Sequence, residues 1–205
     1  EWVIHQPWSN GQVGGFGNSY QATTAEMLGA CGHPAVKFAL VRFNEFDVYS
    51  DIGFPGGVPN EFMLTQWAEF NRSLDANRLP QNMNSFEKII VKGVKPVGRH
   101  PVPEHSNKQV DAALRNITFR DDVDPELGCR MDDISMFSRP TIHAIDHWGS
   151  WFDAATANAV IHRFANNPRP QRAVIGPWNH GAKQHVGEKE NPYPVIAQMK
   201  DTLRF

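Results

Sequence analysis

The sequence lacks the features that mark several large protein classes. Its 205 residues include only two cysteines, Cys31 and Cys129. Neither belongs to a Cys-x-x-Cys motif, so we expect two free thiols rather than a zinc knuckle or a redox pair. No apolar run approaches the roughly 20 residues that a membrane-spanning helix needs. The formal net charge of −2 argues against nucleic acid or an anionic membrane as the main partner.

Neither end of the sequence carries a recognisable boundary. The chain begins at Glu1 without an initiator methionine or a signal-peptide pattern, and residues 1–4 resemble the end of a helix. Residues 196–205 likewise resemble a helix that is cut short. We therefore expect a fragment truncated at both ends, so the compartment stays unknown: cytoplasmic and secreted are both compatible with the sequence.

The pattern of apolar runs predicts an α/β fold in three segments. Over residues 1–50, a strand-like run is followed by a helix-like run and a buried strand, which is the order of a βαβ unit. Over 138–205, strands and helices alternate again. The predicted strands are 13–16, 35–41, 141–145 and 172–176, and the predicted helices of these segments are 22–28, 154–164 and a last one from 191.

The segment between them, 51–137, lacks this alternation of strands and helices. It contains an amphipathic helix candidate at 61–74 and a shorter one at 111–117. Between these, residues 93–105 carry three prolines, which exclude a regular helix or a central strand. The pattern predicts an irregular, mostly helical insertion into the α/β core.

A candidate nucleophile lies in the first segment, in Gly17-Asn18-Ser19-Tyr20. A serine at a sharp turn between a strand and a helix is the nucleophile elbow of an α/β-hydrolase, where the strained backbone exposes the hydroxyl. The usual pattern is Gly-x-Ser-x-Gly, and Gln21 stands in place of its last glycine.

A serine nucleophile needs a histidine as base and a carboxylate that orients it, and in this fold they follow in the order Ser, Asp or Glu, His. The acid candidate is Asp153, after the strand at 141–145; Asp146 is an alternative, and Asp153 also suits the cap of the next helix. The base candidate is His180, after the strand at 172–176, with His185 as the alternative. The alternative interpretation of His180 is a histidine in a surface loop.

Three sequence blocks, 17–20, 148–153 and 175–181, resemble the catalytic blocks of the cocaine esterase, glutaryl acylase and X-Pro dipeptidyl-peptidase hydrolase family. The opening segment 1–11 is similar to the one that precedes the elbow in that family. The resemblance implies an α/β-hydrolase core, a parallel sheet flanked by helices, with a helical cap formed by 51–137.

The resemblance also implies a role for individual residues. Ser19 would be the nucleophile, Asp153 the orienting acid, His180 the general base, and the backbone N–H of Tyr20 one oxyanion donor. The second oxyanion donor of the family, a tyrosine hydroxyl, belongs to a segment outside this chain. Ala22 stands where the family usually has glycine.

The expected substrates are esters or amides, including small acyl esters, acyl amides and X-Pro peptides, and no cofactor is implied. Trp151 and Trp178 flank the proposed triad and are candidates for a substrate pocket. An inactive hydrolase-like domain that binds a ligand or a partner is an alternative. A metallohydrolase built on His143, Asp146 and His147 is a further one, although on a strand Asp146 would point away from the histidines. The oligomeric state stays unknown, and by resemblance alone a bacterial origin is expected.

Overall fold

Four parallel strands form the central sheet of the structure, a computed structural model that describes residues 1–67, 69–70, 73, 123–124, 129–130, 144–187 and 192–204. In chain order the strands are β1 (Val13–Asn18), β2 (Val36–Arg42), β3 (Val123–Asp124), β4 (Cys129–Arg130), β5 (Ile145–Ser150) and β6 (Gln171–Gly176). The sheet has the spatial order β1-β2-β5-β6, and β3 pairs with β4 in a separate antiparallel ladder.

Three α-helices are described: α1 (Tyr20–Ala30), α2 (Thr156–Asn166) and α3 (Val195–Thr202). Helix α1 connects β1 to β2, and α2 connects β5 to β6, so each forms the crossover that parallel strands require. The shorter helical segments are 3₁₀ turns at Trp2–His5, Pro55–Gly57 and His180–Ala182 and π-helical turns at Val48–Gly53 and Phe62–Trp67.

Helices α1 and α2 cover the same face of the sheet. Ala22 of α1 packs there in a fully buried cluster with Ala39, Val41 and Ile145 from the strands. The two helices are also joined by a buried ion pair between Glu26 of α1 and the guanidinium of Arg163 in α2. Alternate residues of a strand point to opposite faces, which explains why Ala39 and Val41 appear together here.

Helix α3 covers the opposite face of the sheet. Arg42 of β2 hydrogen bonds to Gln198 of α3, and Arg172 of β6 donates to the carbonyl of Asp201 at 2.9 Å. The Trp148 ring of β5 stacks on Tyr193, just before α3, with 6.0 Å between the ring centroids. The sheet is therefore the middle layer of three, as the α/β pattern predicts.

Most described elements lie within a few residues of their predicted positions, but the limits predicted for β5 are wrong. The sequence pattern places that strand at 141–145, whereas it runs over Ile145–Ser150 and all six of its residues are buried. Asp146, His147 and Ser150 interrupt the apolar pattern, yet each finds a polar partner inside the fold. A polar group that is hydrogen bonded can be buried in a central strand, and this compensation is not visible in the sequence.

The chain divides into two compact units, one made of Glu1–Ile52 and Ser135–Phe205 and the other of Gly53–Ile134. The sheet described above belongs to the first unit. The role of 51–137 as a cap stays a prediction, and the helix expected at 111–117 lies outside the described residues. Within the described part of the chain, no helix is both long and apolar enough to cross a membrane.

Candidate active site

Ser19 lies at the sharp junction between β1 and α1, with φ of 61° and ψ of −138°. A serine rarely adopts a positive φ, so this backbone conformation is strained. The junction is held by the Ser19 N–H, which donates to the Arg42 carbonyl at 2.9 Å, and by the Ser19 carbonyl, which accepts from the N–H of Ala22 at 2.8 Å. The strained turn predicted for a nucleophile elbow is therefore present at this serine.

Two small residues allow the turn to close. A Cβ atom on Gly17 would lie 2.2 Å from the backbone carbonyl group of Gln21, so only glycine fits beside the first turn of α1. Ala22, which departs from the glycine usual in the family, is fully buried, and its methyl group packs in the core under the helix. The helix therefore accommodates the extra carbon without losing its contact with the sheet.

The candidate acid and base are hydrogen bonded to each other. His180 Nδ1 lies 2.8 Å from Asp153 Oδ2, although the two residues are far apart in sequence. Asp153 is in the turn after β5, and His180 begins the 3₁₀ turn after β6. The Asp153 side chain is 12% exposed and the His180 side chain 49% exposed, so the pair lies near the protein surface.

This contact determines which imidazole nitrogen is available for chemistry. The Nδ1–H of His180 donates to the carboxylate, which leaves Nε2 of the neutral ring as an acceptor. A neutral histidine with its Nδ1 proton held by a carboxylate can remove a proton through Nε2, and the carboxylate stabilises the imidazolium that results.

Ser19 belongs to the same edge of the sheet as the Asp153–His180 pair, because all three residues follow the carboxyl ends of parallel strands. Side chains beside them confirm that the strand ends converge. A Cβ atom built on Gly181 would be 3.5 Å from the Asn18 side-chain amide, and the Phe43 ring, next to the Arg42 partner of Ser19, lies 6.1 Å from the His180 ring. Among the described residues, the Ser19 hydroxyl has no hydrogen-bonded partner.

The remaining predicted site residues have different environments. The N–H of Tyr20 is the first of α1 and has no acceptor within the helix, whereas the N–H groups of Ala22 and Thr23 donate to the Ser19 carbonyl. The Trp151 side chain is exposed, whereas Trp178 is buried in a cluster with Leu40 and Trp148. A pocket role for either tryptophan stays a prediction.

The alternative acid and base candidates have other surroundings. Asp146 is fully buried within β5, where it forms an ion pair with Arg172 and accepts a hydrogen bond from the Trp148 indole at 3.0 Å. His185 lies on the returning arm of the loop that carries His180, where its backbone forms an isolated antiparallel β-bridge with Trp178. Neither residue contributes to the Asp153–His180 pair.

The proposed metal site is not assembled within the described residues. His147 is buried, and its Nε2–H donates to the side-chain oxygen of Gln171 at 3.1 Å. His143 lies outside the described part of the chain. In the part that is described, no group of three His, Cys, Asp or Glu side chains is placed to hold a metal ion.

Sequence reasoning missed two buried polar contacts near the site. One is the Glu26–Arg163 pair, which joins the helix after the elbow to the helix after the acid turn. The other is the Ser150 hydroxyl, which hydrogen bonds to both the acid turn and the base loop. The sequence offers no signal for either contact, because Arg163 is distant from Glu26 along the chain and Trp178 is distant from Ser150.

Comparison with known proteins identifies the family of this chain. The family model for X-Pro dipeptidyl-peptidase (S15 family) matches residues 1–182. Two curated relatives, each named "Putative serine esterase", come from Mycobacterium bovis and Mycobacterium tuberculosis and are each 34% identical over 213 residues. The match covers 88% of this chain and 34% of each relative, so the chain spans about a third of their length.

Solved structures show the same fold. A CocE/NonD family hydrolase from Staphylococcus aureus aligns with a TM-score of 0.53 at 16% identity and covers 100% of this chain and 30% of its own. An aminopeptidase from the marine sediment archaeon Thaumarchaeota archaeon has a TM-score of 0.53 at 20% identity, with 88% and 31% coverage. At these identities the likeness concerns the fold alone. With the parallel sheet and its flanking helices, it confirms the predicted α/β-hydrolase core.

Proposed function

Because the chain belongs to the X-Pro dipeptidyl-peptidase (S15) family, we propose that it carries the catalytic core of a serine hydrolase with Ser19 as nucleophile. The observation that carries the proposal is the 2.8 Å hydrogen bond between His180 and Asp153 at the sheet edge where the strained turn at Ser19 lies. The family match and the esterase names of the relatives support the same reaction class.

In the first half of the reaction, an acyl group is transferred to the enzyme. The Ser19 oxygen attacks the carbonyl carbon of the substrate while His180 Nε2 accepts the hydroxyl proton. The carbonyl π electrons move to oxygen, and the N–H of Tyr20 donates to this developing oxyanion. The tetrahedral intermediate then collapses as His180 returns the proton to the leaving alcohol or amine, which leaves an ester on Ser19.

In the second half, water replaces the leaving group. His180 Nε2 removes a proton from water, whose oxygen attacks the acyl carbon and forms a second tetrahedral intermediate. Collapse releases the carboxylic acid, and the proton passes from His180 back to the Ser19 oxygen. Asp153 keeps the imidazole oriented throughout and balances the imidazolium charge in both intermediates.

The substrate is an ester or an amide whose carbonyl group lies between the Ser19 oxygen and the N–H of Tyr20. The names of the sequence relatives favour an ester, and the family description favours an X-Pro dipeptidyl amide. Rates with a p-nitrophenyl acyl ester and with an Xaa-Pro p-nitroanilide distinguish these two classes directly.

Active-site labelling with a fluorophosphonate tests the nucleophile. We expect stoichiometric labelling of the chain at Ser19, found by peptide mass mapping. Ser19→Ala is expected to lose both the label and ester turnover, the latter by on the order of 10⁴- to 10⁶-fold. The matched control is Thr24→Ala on the exposed side of α1, which also removes a hydroxyl near the elbow and is expected to react like the wild type.

Two outcomes contradict the proposal. Labelling or turnover that persists in Ser19→Ala means that another residue is the nucleophile. A folded wild-type chain that neither reacts with the probe nor hydrolyses either substrate favours the alternative, a hydrolase-like domain that binds a ligand or a partner.

A further inference from the structure

The Ser150 hydroxyl is bonded to both backbone segments that carry the proposed acid and base. It donates to the Trp178 carbonyl at 2.6 Å and accepts from the N–H of Trp178 at 2.9 Å and of Phe152 at 3.1 Å. A hydroxyl has one proton to donate and two lone pairs to accept with, so all of its hydrogen-bonding capacity is used. One side-chain oxygen therefore connects two loops that are separate in sequence.

The position of Ser150 in the sheet makes this connection rigid. Ser150 is the last residue of β5, is fully buried, and lies opposite Gly176, the last residue of β6. Its own N–H donates to the Thr156 hydroxyl at 3.1 Å, and the next N–H, from Trp151, donates to the Gly176 carbonyl at 3.2 Å. Buried and fully satisfied networks of this kind hold their members in one arrangement.

The proposed acid and base lie a few residues beyond this connection along the chain. Asp153 follows Ser150 by three residues, and His180 follows Trp178 by two. Nearly half of the His180 side chain is exposed, and its ring lies beside the Phe43 ring on the other side, so packing restrains His180 only in part. The relative position of the two side chains also depends on the backbone segments that Ser150 joins beneath them.

We propose that Ser150 is a positioning residue that sets the distance between Asp153 and His180 without contacting the substrate. The inference rests on the proposed function, in which this pair activates Ser19. Without the Ser150 hydroxyl, the Trp178 backbone loses its partner and the base loop shifts relative to the acid turn. Displacements of about 1 Å in catalytic groups cost on the order of 10²-fold in rate.

The test compares Ser150→Ala with the wild-type chain in two measurements. The first is the split between kcat and KM for a p-nitrophenyl ester: we expect kcat to fall roughly 10- to 100-fold with little change in KM. The second is the downfield proton NMR resonance of His180 Nδ1–H, assigned by its loss in His180→Asn. We expect this resonance to broaden or disappear in Ser150→Ala, because the hydrogen bond to Asp153 lengthens.

A control variant separates positioning from general loss of stability. Thr202→Val removes another buried hydroxyl, one that donates to the Gln198 carbonyl in α3 and accepts from Arg172 near the start of β6, at the opposite end of the strands from the proposed triad. We expect it to lower the melting temperature while leaving kcat and the His180 resonance unchanged. If Ser150→Ala does not fold, Ser150→Cys replaces it, since the thiol fills a similar space but is a weak donor and acceptor.

The proposal is overturned if the folded Ser150 variant keeps both the wild-type kcat and the His180 resonance. It is also overturned if Thr202→Val loses kcat in the same proportion as stability. The NMR measurement needs no turnover, so failure of the serine hydrolase proposal is distinguishable: the wild type would then show the resonance without reacting with ester or fluorophosphonate.

Discussion

His147 makes the stability of this chain depend on pH in a way that can be worked out from its environment. The side chain lies in β5 and is fully buried, and Nδ1 has no hydrogen-bonded partner among the described residues. Burial, followed by the positive charge of Arg163, lowers the pKa of His147 from 6.5 to about 3, although the Gln171 hydrogen bond opposes the shift. The folded protein therefore keeps this histidine neutral, whereas the unfolded chain protonates it near its ordinary pKa.

The sign and size of the effect follow from linkage. Between pH 6.5 and 3 the unfolded state binds a proton that the folded state does not, so the free energy of unfolding falls as the pH is lowered through this window. At pH 7.5 the contribution is close to zero, and at pH 5 it reaches about 2 kcal/mol. This figure is set by the pKa of the unfolded state, because pH 5 lies well above the folded pKa of about 3. It corresponds to a decrease in melting temperature of about 4–8 °C.

Urea denaturation of the wild type and of His147→Gln at pH 7.5 and pH 5 measures this contribution. The amide of Gln does not titrate, so the difference between the two proteins isolates His147. The comparison is needed because burial raises the pKa of Glu45 and of Asp51, which works in the opposite direction as the pH falls. We expect the advantage of the wild type over the variant to shrink by about 2 kcal/mol at pH 5. An advantage that is equal at both pH values would refute the reasoning.

Two further predictions concern the helices and the acid of the proposed site. Glu26→Gln leaves the buried guanidinium of Arg163 without its counter-charge, and we expect the free energy of unfolding in urea to fall by about 3–5 kcal/mol. The control Glu1→Gln removes the acid of an exposed ion pair and is expected to leave the midpoint of urea unfolding unchanged. Equal losses of stability in both variants would show that the buried ion pair stabilises the fold no more than the exposed one. Asp153→Asn is expected to reduce kcat for a p-nitrophenyl ester by on the order of 10⁴-fold with the fold intact, because an amide no longer secures the Nδ1–H tautomer of His180. Turnover within about tenfold of the wild type in steady-state assays would exclude Asp153 as the orienting acid.

The convergence of parallel strands explains how three residues from distant parts of the chain meet at one edge. Strands β1, β5 and β6 run in the same direction, so the segments that follow Asn18, Ser150 and Gly176 all leave the sheet on one side. The buried pair of Glu26 and Arg163 joins the helix that follows the elbow to the helix that follows the acid turn. We infer that the same strands and helices stabilise the fold beneath the site and determine the geometry of the site.

The sequence by itself was sufficient for the order of the elements around the proposed site. Apolar runs, glycines and short-range turn patterns are local, so they predicted β1, α1, β2 and β6 to within a few residues of their observed limits. The turn at Ser19 was also predictable, because Gly17 stands two residues before it, as the elbow pattern requires, and only glycine fits there against the first turn of the helix. The order of serine, acid and base along the chain also led to Asp153 and His180 as candidates.

Only the tertiary structure decided which polar side chains meet. Asp146 and Asp153 are chemically identical, but one is paired with Arg172 inside the sheet and the other with His180 at its edge. The limits of β5 and the role of Ser150 depend in the same way on partners from β6 and the loop after it. The physical reason is that a buried polar group is stable only where a partner from elsewhere in the chain satisfies it, and such pairings are a property of the fold rather than of any local pattern.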